Sequence, residues 1–133
     1  MQNPLRVATT PFFVYGDAGL GKTHLLYAIA GYVKQNYSSF RVRYISTETM
    51  LNEFVEAIRN GTQQVFKQRY REIDVLLVDD IQFMEGKEQL QEEFFHTFNT
   101  LHEAQRQIVL SSDRPPTRSQ PSRIVFAVGS RWD

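Results

Sequence analysis

Residues Gly16 to Thr23 have the sequence GDAGLGKT, which fits the pattern G-x-x-x-x-G-K-[ST] at every fixed position. This segment directly follows a short apolar run, Phe12 to Tyr15. Glycine at positions 16, 19 and 21 lets the chain turn tightly, so that backbone N–H groups and a helix N-terminus converge on a phosphate. The alternative is an ordinary glycine-rich turn between a strand and a helix. The Gly-Lys-Thr ending favours a phosphate-binding loop.

The residues of this loop have expected roles. Lys22 is expected to reach the β- and γ-phosphates of a nucleotide, and the Thr23 hydroxyl is expected to bind Mg²⁺. His24 lies in the first turn of the next helix, where we expect a packing or cap residue rather than a catalyst. The predicted nucleotide-binding residues are Gly16, Asp17, Ala18, Gly19, Leu20, Gly21, Lys22, Thr23 and His24.

Composition limits the classes of function. The 133 residues include 15 basic and 15 acidic side chains, so no overall field attracts DNA and any nucleic-acid contact requires a local patch. No apolar run is long enough to span a membrane or direct export. The absence of cysteine from the sequence excludes disulfides and cysteine-type zinc sites. We therefore expect a cytoplasmic protein that is one domain or part of one.

Apolar residues along the chain indicate strands that alternate with helices. The expected strands are Phe12–Tyr15, Arg41–Ile45, Val75–Val78 and Ile108–Leu110. The expected helices run from Lys22 to about Gln35, from Thr47 to Asn60, from Thr62 to Arg71 and from about Lys87 to Ala104. This order predicts an α/β fold of three layers around a parallel sheet, with four recognisable strands and the ligand at their carboxyl ends.

Two of these helices have predicted buried faces. The helix after Thr47 is expected to bury Leu51, Phe54, Val55 and Ile58. In the next helix, Phe66 and Tyr70 share one face and alternate with the basic residues Lys67, Arg69 and Arg71. Such a pattern can contact a nucleic-acid strand through phosphates and stacking. We favour packing of both rings on the sheet with the charges in solvent, and assign this cluster no specific role.

Acidic residues follow two of the strands. Asp79 and Asp80 end a wholly apolar strand downstream of the phosphate-binding loop, where such proteins hold Mg²⁺ and orient the attacking water. We assign Asp79 to the metal and Asp80 to the water; the alternative is two exposed acids that begin a loop. If the fourth strand lies between the first and third, Asp113 faces the γ-phosphate as a polar sensor. A turn-forming Asp is the alternative there.

Four segments together identify a family: GDAGLGKTHLL, VLLVDDIQF, QEEFFHTFNTLHE and QIVLSSDRPP. They resemble the ATPase core of the bacterial replication initiator DnaA family over about residues 11–116. The resemblance implies a P-loop NTPase fold of AAA+ type, here without its fifth strand and lid, with ATP and Mg²⁺ as cofactors. It also implies ATP-dependent self-association into a filament on origin DNA, melting of the duplex and help in loading the replicative helicase.

The resemblance also assigns residues. Gly16 to Thr23 match the nucleotide loop, Asp79 and Asp80 the Walker B pair, and Asp113 the sensor. The region from about residue 48 to 71 resembles the insertion that steers filament assembly. Val55 and Lys87 occupy positions that contact single-stranded DNA in the family. Gln89 occupies a position where some relatives have a basic residue. This departure bears on how strongly the chain binds single-stranded DNA.

The two ends depart from the family pattern. We expect residues 1–10 to be a non-conforming segment, residues 11–116 a partial AAA+ domain and residues 117–133 a tail translated out of frame. Residues Pro121 to Asp133 can be encoded by codons that have a second reading in a shifted frame. When these codons are read from the third base, they encode LEDRLRSRFEMG, which is the sequence with which the family continues. This interpretation predicts that the chain is inactive on its own, with weak ATP binding and little hydrolysis.

Two other classes of function stay open at this stage. A helicase loader of the DnaC type is also an AAA+ ATPase with a similar core, although the segment EEFFHTFNTLHE is not expected in it. The other class is a non-catalytic interaction fragment.

Overall fold

The computed structural model describes residues 11–16 and 21–113, which form four strands and four α-helices, with one or two α-helices between successive strands. They are β1 (Phe12–Tyr15), α1 (Lys22–Asn36), β2 (Val42–Ser46), α2 (Thr47–Asn60), α3 (Gln63–Arg71), β3 (Val75–Asp79), α4 (Glu88–Glu103) and β4 (Gln107–Ser112). A short 3₁₀-helix, Ile81–Met84, joins β3 to α4. All of the predicted elements are present. Strand β2 is displaced by one residue, since the Arg41 N–H donates to the Asp74 carboxylate.

The four strands form one parallel sheet in the order β1-β4-β3-β2. Strand β4 thus lies between β1 and β3, which is the condition under which Asp113 was assigned as a sensor. Tyr15 pairs with Ser112, and Ser46 pairs with Asp79. The carboxyl ends of the strands therefore meet at one edge of the sheet, where the predicted site residues are concentrated.

Strand β3 is buried on both faces, which explains its unbroken apolar sequence. Val75 and Leu77 belong to the core layer that packs against α1, while Leu76 and Val78 belong to the layer beneath the other three helices. The α1 layer is completed by Leu26, Ala30 and Val109. The larger layer includes Ile45, Met50, Phe54, Phe66, Tyr70, Phe94, Phe98, Leu101, Ile108 and Leu110. This arrangement confirms the predicted three layers.

Helix α2 buries a different face from the predicted one. Met50, Phe54 and Ala57 are buried, whereas Val55 is 41% and Ile58 42% exposed. The prediction for Val55 and Ile58 was wrong because the buried stripe is centred on positions 50, 54 and 57, which recur at helical spacing and include the small Ala57. Apolar identity alone does not show where such a stripe is centred.

Helix α3 buries the two aromatic residues of its basic and aromatic cluster. Phe66 is 4% exposed and Tyr70 is fully buried. The Phe66 ring lies 5.8 Å from the Phe54 ring on α2, measured between centroids. The predicted burial is confirmed, although α3 packs mainly against α2 and α4 rather than directly on the sheet. Arg69 and Arg71 are exposed.

The centre of β3 gives a test of this fold. Leu77 is fully buried between β2, β4 and α1, so Leu77→Ala is expected to lower the free energy of unfolding by ~2–5 kcal/mol through lost burial and a residual cavity. Leu25→Ala on the exposed face of α1 is the matched control, with an expected change within ~0.5 kcal/mol. Urea denaturation followed by circular dichroism measures both. Equal effects of the two substitutions would contradict the packing described here.

Candidate nucleotide-binding site

The phosphate-binding loop is anchored at both of its ends. The Gly16 carbonyl accepts a hydrogen bond from Lys22 Nζ at 2.6 Å. The Gly16 N–H donates a hydrogen bond to the Ser112 carbonyl at 3.3 Å. Gly21 caps α1 with a φ of 81°, a left-handed conformation that favours glycine. Lys22 is only 9% exposed. Asp17, Ala18, Gly19 and Leu20 lie outside the described residues.

The Asp79 carboxylate is the centre of the site. It is 2% exposed and lies at the carboxyl end of β3. Its Oδ2 accepts from the Thr23 hydroxyl at 2.7 Å and from the Tyr44 hydroxyl at 2.6 Å. Its Oδ1 accepts from the Ser111 hydroxyl. Helix α1 and strands β2 and β4 are thereby all bonded to one carboxylate.

These contacts keep Asp79 ionised. Burial by itself would raise the pKa of Asp79, but hydrogen bonds from Ser111, Tyr44 and Thr23, together with the positive charge of Lys22, lower the pKa below its ordinary value. The pKa of the Tyr44 phenol is raised by burial and by its hydrogen bond to Asp79. The pair therefore consists of a neutral phenol that donates to an anionic carboxylate.

Asp80 turns the chain out of the sheet. Its φ of 62° and ψ of 52° are left-handed, a conformation that Asp tolerates better than most residues. Its N–H donates to the Ser111 Oγ at 2.8 Å. The Gln82 side chain links both predicted catalytic acids: its Nε2 donates to Asp80 Oδ1 at 3.4 Å, and its Oε1 accepts from the Asp113 N–H at 3.1 Å.

A cleft opens where these elements meet. Its volume is about 570 Å³, within the range of small-molecule sites. The residues that line it are Gly21, Lys22, Thr23, His24, Asp80, Gln82, Phe83 and Asp113. His24 was predicted to be a packing or cap residue; it is exposed at the cleft, so the packing alternative was wrong. Its place in the first turn of α1 directs it away from the core.

The donor set of this cleft fits a magnesium–nucleotide complex. Among the described residues no group of three or more His, Cys, Asp and Glu side chains could hold a metal by itself. Mg²⁺ is typically bound by one or two protein oxygens and otherwise by phosphates and water. Thr23 and Asp79 supply such oxygens, and Lys22 supplies a positive charge beside them.

The two predicted DNA-contacting residues are both exposed. Lys87 occupies the N-cap position of α4 and lines a smaller cleft of about 320 Å³, which also includes Asp80 and Phe83. Val55 is exposed on α2 and does not line that cleft. Gln89 is exposed in the first turn of α4. Both predicted positions are accessible, but the structure does not bring them together in one pocket.

Several polar residues of the site were not predicted. Tyr44 and Ser111 bind the Asp79 carboxylate, the Thr47 hydroxyl donates to the Asp79 carbonyl at 2.9 Å, and Gln82 joins Asp80 to Asp113. Their positions along the strands were the signal in the sequence that could have identified Tyr44 and Ser111. Once the strands are aligned in parallel, Tyr44 and Ser111 fall near the same carboxyl edge as Asp79.

Comparisons with known proteins agree with this geometry. A family model described as the bacterial DnaA ATPase domain matches residues 1–123. The chromosomal replication initiator protein DnaA of Mycobacteroides abscessus is 59% identical over 109 residues, which are 82% of this chain and 22% of that protein. The predicted domain boundaries at residues 11 and 116 lie inside the matched range.

Solved structures show the same fold. Domain III of the Thermotoga maritima replication initiation protein DnaA has a TM-score of 0.84 and 44% identity, covering 92% of this chain and 51% of that one. A replication initiator DnaA bound to AMPPCP and single-stranded DNA has a TM-score of 0.84 and 41% identity, and the match covers 91% of this chain and 38% of that one. A DnaC helicase loader is similar in fold alone, with 20% identity and a TM-score of 0.70.

The parallel sheet with β4 inserted between β1 and β3, the phosphate-binding loop and the paired acids at the carboxyl end of β3 define a P-loop NTPase fold of AAA+ type. Within that class, the chain belongs to the bacterial DnaA ATPase-domain family. It spans about a fifth of the length of the curated relative and about half of the Thermotoga domain structure. Within the described ranges, no helix has the length and apolar character needed to cross a membrane.

The lowered pKa of Asp79 predicts a pH dependence of stability. Because the carboxyl pKa is lower in the folded chain than in the unfolded one, the unfolded state binds the proton more readily, and the contribution of Asp79 is fully present above a pH of about 5. It is lost as the pH falls below about 4. Asp79→Asn should therefore flatten the acid dependence of the free energy of unfolding, measured by urea denaturation between pH 3 and 7. Parallel pH curves for the two proteins would contradict this assignment.

Proposed function

We propose that this chain is the ATP-binding core of a bacterial replication initiator, which holds ATP and Mg²⁺ in the cleft around Lys22 and Thr23. The observation that carries the proposal is the hydrogen bond from Thr23 Oγ1 to Asp79 Oδ2, beside the buried Lys22. It places the hydroxyl and ammonium groups that line the cleft beside a buried carboxylate. Buried charges are costly in a core, and a magnesium–phosphate ligand would give each of them a contact of opposite charge in addition to the partners described above.

Each side chain has a role that follows from its chemistry. Lys22 neutralises phosphate charge, and the N–H groups at the start of α1 donate to phosphate oxygens. Asp17, Ala18, Gly19 and Leu20 complete the loop by virtue of the motif. Thr23 and Asp79 hold Mg²⁺, which supplies charge neutralisation at the phosphates when it is bound.

The two other acids serve hydrolysis in this proposal. Asp80 accepts a hydrogen bond from water and orients it towards the terminal phosphate. Asp113 acts as a polar sensor of that phosphate from the tip of β4. The Gln82 amide, which contacts Asp80 and the Asp113 backbone, supports these assignments because it holds both acids at the same cleft.

Single-stranded DNA is the second proposed ligand. A relative is described as bound to AMPPCP and single-stranded DNA, and Val55 and Lys87 are both exposed here. Lys87 would neutralise a phosphate, and Val55 would make an apolar contact. Because Gln89 is uncharged, phosphate binding at this turn of α4 depends on Lys87.

The activity of the whole protein follows from the family. We propose that it self-associates with ATP on origin DNA in the cytoplasm, melts the duplex and helps to load the replicative helicase. Helices α2 and α3 form the insertion that would steer this assembly.

Replacement of the loop lysine tests the nucleotide site. Lys22→Ala is expected to weaken ATP binding about 10- to 100-fold, because a charge-assisted hydrogen bond contributes ~1.5–3 kcal/mol. Lys34→Ala, an exposed substitution in the last turn of the same helix, is the control and should leave the affinity unchanged. Isothermal titration measures both. ATP binding that is indifferent to Lys22→Ala would refute the assignment.

A lysine pair tests the proposed DNA contact. Lys87→Ala is expected to weaken binding of a single-stranded oligonucleotide and to reduce the slope of log K against log salt by about 0.7, the contribution of one phosphate contact. Lys67→Ala is the control, since Lys67 Nζ lies 4.0 Å from a Glu93 carboxylate oxygen on α4. Fluorescence anisotropy at several salt concentrations measures the slope. An unchanged slope for Lys87→Ala, or an equal reduction for both variants, would exclude a specific contact at Lys87.

A further inference from the structure

Tyr44 is a polar residue of the site that neither the motif nor the family resemblance assigned. It lies on β2, and its hydroxyl donates to Asp79 Oδ2 at 2.6 Å. The Thr23 hydroxyl donates to the same oxygen at 2.7 Å, and Ser111 donates to the other carboxylate oxygen. Of these three donors, only Thr23 belongs to the phosphate-binding motif.

The number of hydrogen-bond acceptor positions on the Asp79 carboxylate restricts its orientation. An ionised carboxylate offers about four acceptor positions, two on each oxygen. The described residues occupy both positions of Oδ2 and one position of Oδ1. Asp79 therefore cannot rotate about its carboxylate axis without losing hydrogen bonds to charged oxygen, which are among the stronger ones in proteins.

Tyr44 is held by its backbone and its ring as well as by its hydroxyl. Its backbone is paired with Leu77 of β3, and its ring lies against the Tyr27 ring with 4.4 Å between centroids. Tyr27 is one helical turn after Thr23 on α1, so the two rings join β2 to the helix that carries the metal-binding hydroxyl. A serine or threonine oxygen moves when the side chain turns about χ1, whereas the Tyr44 oxygen lies in line with a ring that packs against Tyr27 at an interplanar angle of 33°.

We propose that Tyr44 is a positioning residue of the nucleotide site, which fixes the Asp79 carboxylate in the orientation that Mg²⁺ binding requires. This inference rests on the proposed function, because it assumes that the cleft binds ATP with Mg²⁺. It assigns to Tyr44 no contact with the nucleotide and no part in proton transfer. The effect of Tyr44 on magnesium is exerted through Asp79 alone.

The test is the magnesium gain, defined as the ratio of the ATP dissociation constant in excess EDTA to that in excess Mg²⁺. Tyr44→Phe keeps the ring and its contact with Tyr27 but removes the hydroxyl. We expect this variant to reduce the gain about tenfold, equivalent to about 1.4 kcal/mol, with affinity in EDTA unchanged within about twofold. Tyr32→Phe on the exposed face of α1 is the matched control and should keep the full gain.

A double-mutant cycle shows whether Tyr44 acts through Asp79. In an Asp79→Asn background, Tyr44→Phe should cause no further loss of magnesium gain, because the two changes remove the same interaction. Additive losses in the cycle would contradict the proposal. So would a Tyr44→Phe variant that retains the full gain, or one that no longer folds by circular dichroism, since the hydroxyl would then serve the fold.

The outcomes separate this inference from the proposed function. If the unchanged chain binds no ATP in either condition, the proposed function fails and the role of Tyr44 fails with it. If the unchanged chain binds ATP through Lys22 but shows no magnesium gain, the proposed Mg²⁺ site at Thr23 and Asp79 fails together with the role of Tyr44. If the chain shows a gain that Tyr44→Phe leaves intact, only the positioning role is overturned.

Discussion

The structure depends on one buried carboxylate that is bonded to three separate elements. Asp79 receives hydrogen bonds from α1, β2 and β4 through Thr23, Tyr44 and Ser111. Each of these bonds has a charged acceptor in a nearly water-free position, where it is stronger than a bond between neutral groups. The same contacts that join the layers at the carboxyl edge also keep Asp79 ionised. Stability and the capacity to bind a cation therefore have a common physical origin.

Strand β2 connects this carboxylate to the helices on the other side of the sheet. Successive side chains on a strand point to opposite faces, so Tyr44 faces α1 while Arg43 faces α2 and α3. The Arg43 guanidinium pairs with Glu53 and lies 5.3 Å from the centroid of the Tyr70 ring, and the Tyr70 hydroxyl donates to Glu53 at 3.1 Å. The pair is half-buried, in contrast to the exposed Arg41–Glu72 pair, which contributes little. The position of α2 and α3 is thus tied to β2, the strand whose Tyr44 donates to Asp79.

The features that could be predicted from the sequence are those determined by residues close together in the chain. The loop from Gly16 to Thr23 and the apolar run before Asp79 are local patterns, and so are the alternating elements that define the fold. The partners of Asp79 are not local: Tyr44 and Ser111 are separated from it by 35 and 32 residues. Finding them requires the strand order and the register together, and a one-residue shift of β2 would turn Tyr44 to the opposite face. The exposure of Val55 was missed for a related reason, since helical spacing does not specify which of two overlapping faces meets the sheet.

The central claim is that the Asp79 carboxylate and the Thr23 hydroxyl form the metal side of a nucleotide site. A crystal structure of this chain with AMPPCP and Mn²⁺, whose anomalous scattering locates the metal, tests it most directly. The account predicts a single anomalous peak beside Thr23 Oγ1 and Asp79. It also predicts that Lys22 Nζ leaves the Gly16 carbonyl, which it contacts at 2.6 Å, for a phosphate oxygen. Two results would contradict this claim. One is a nucleotide bound elsewhere, such as in the groove lined by Ile29, Tyr37 and Arg106 at the opposite end of the sheet, and the other is a metal peak away from Thr23.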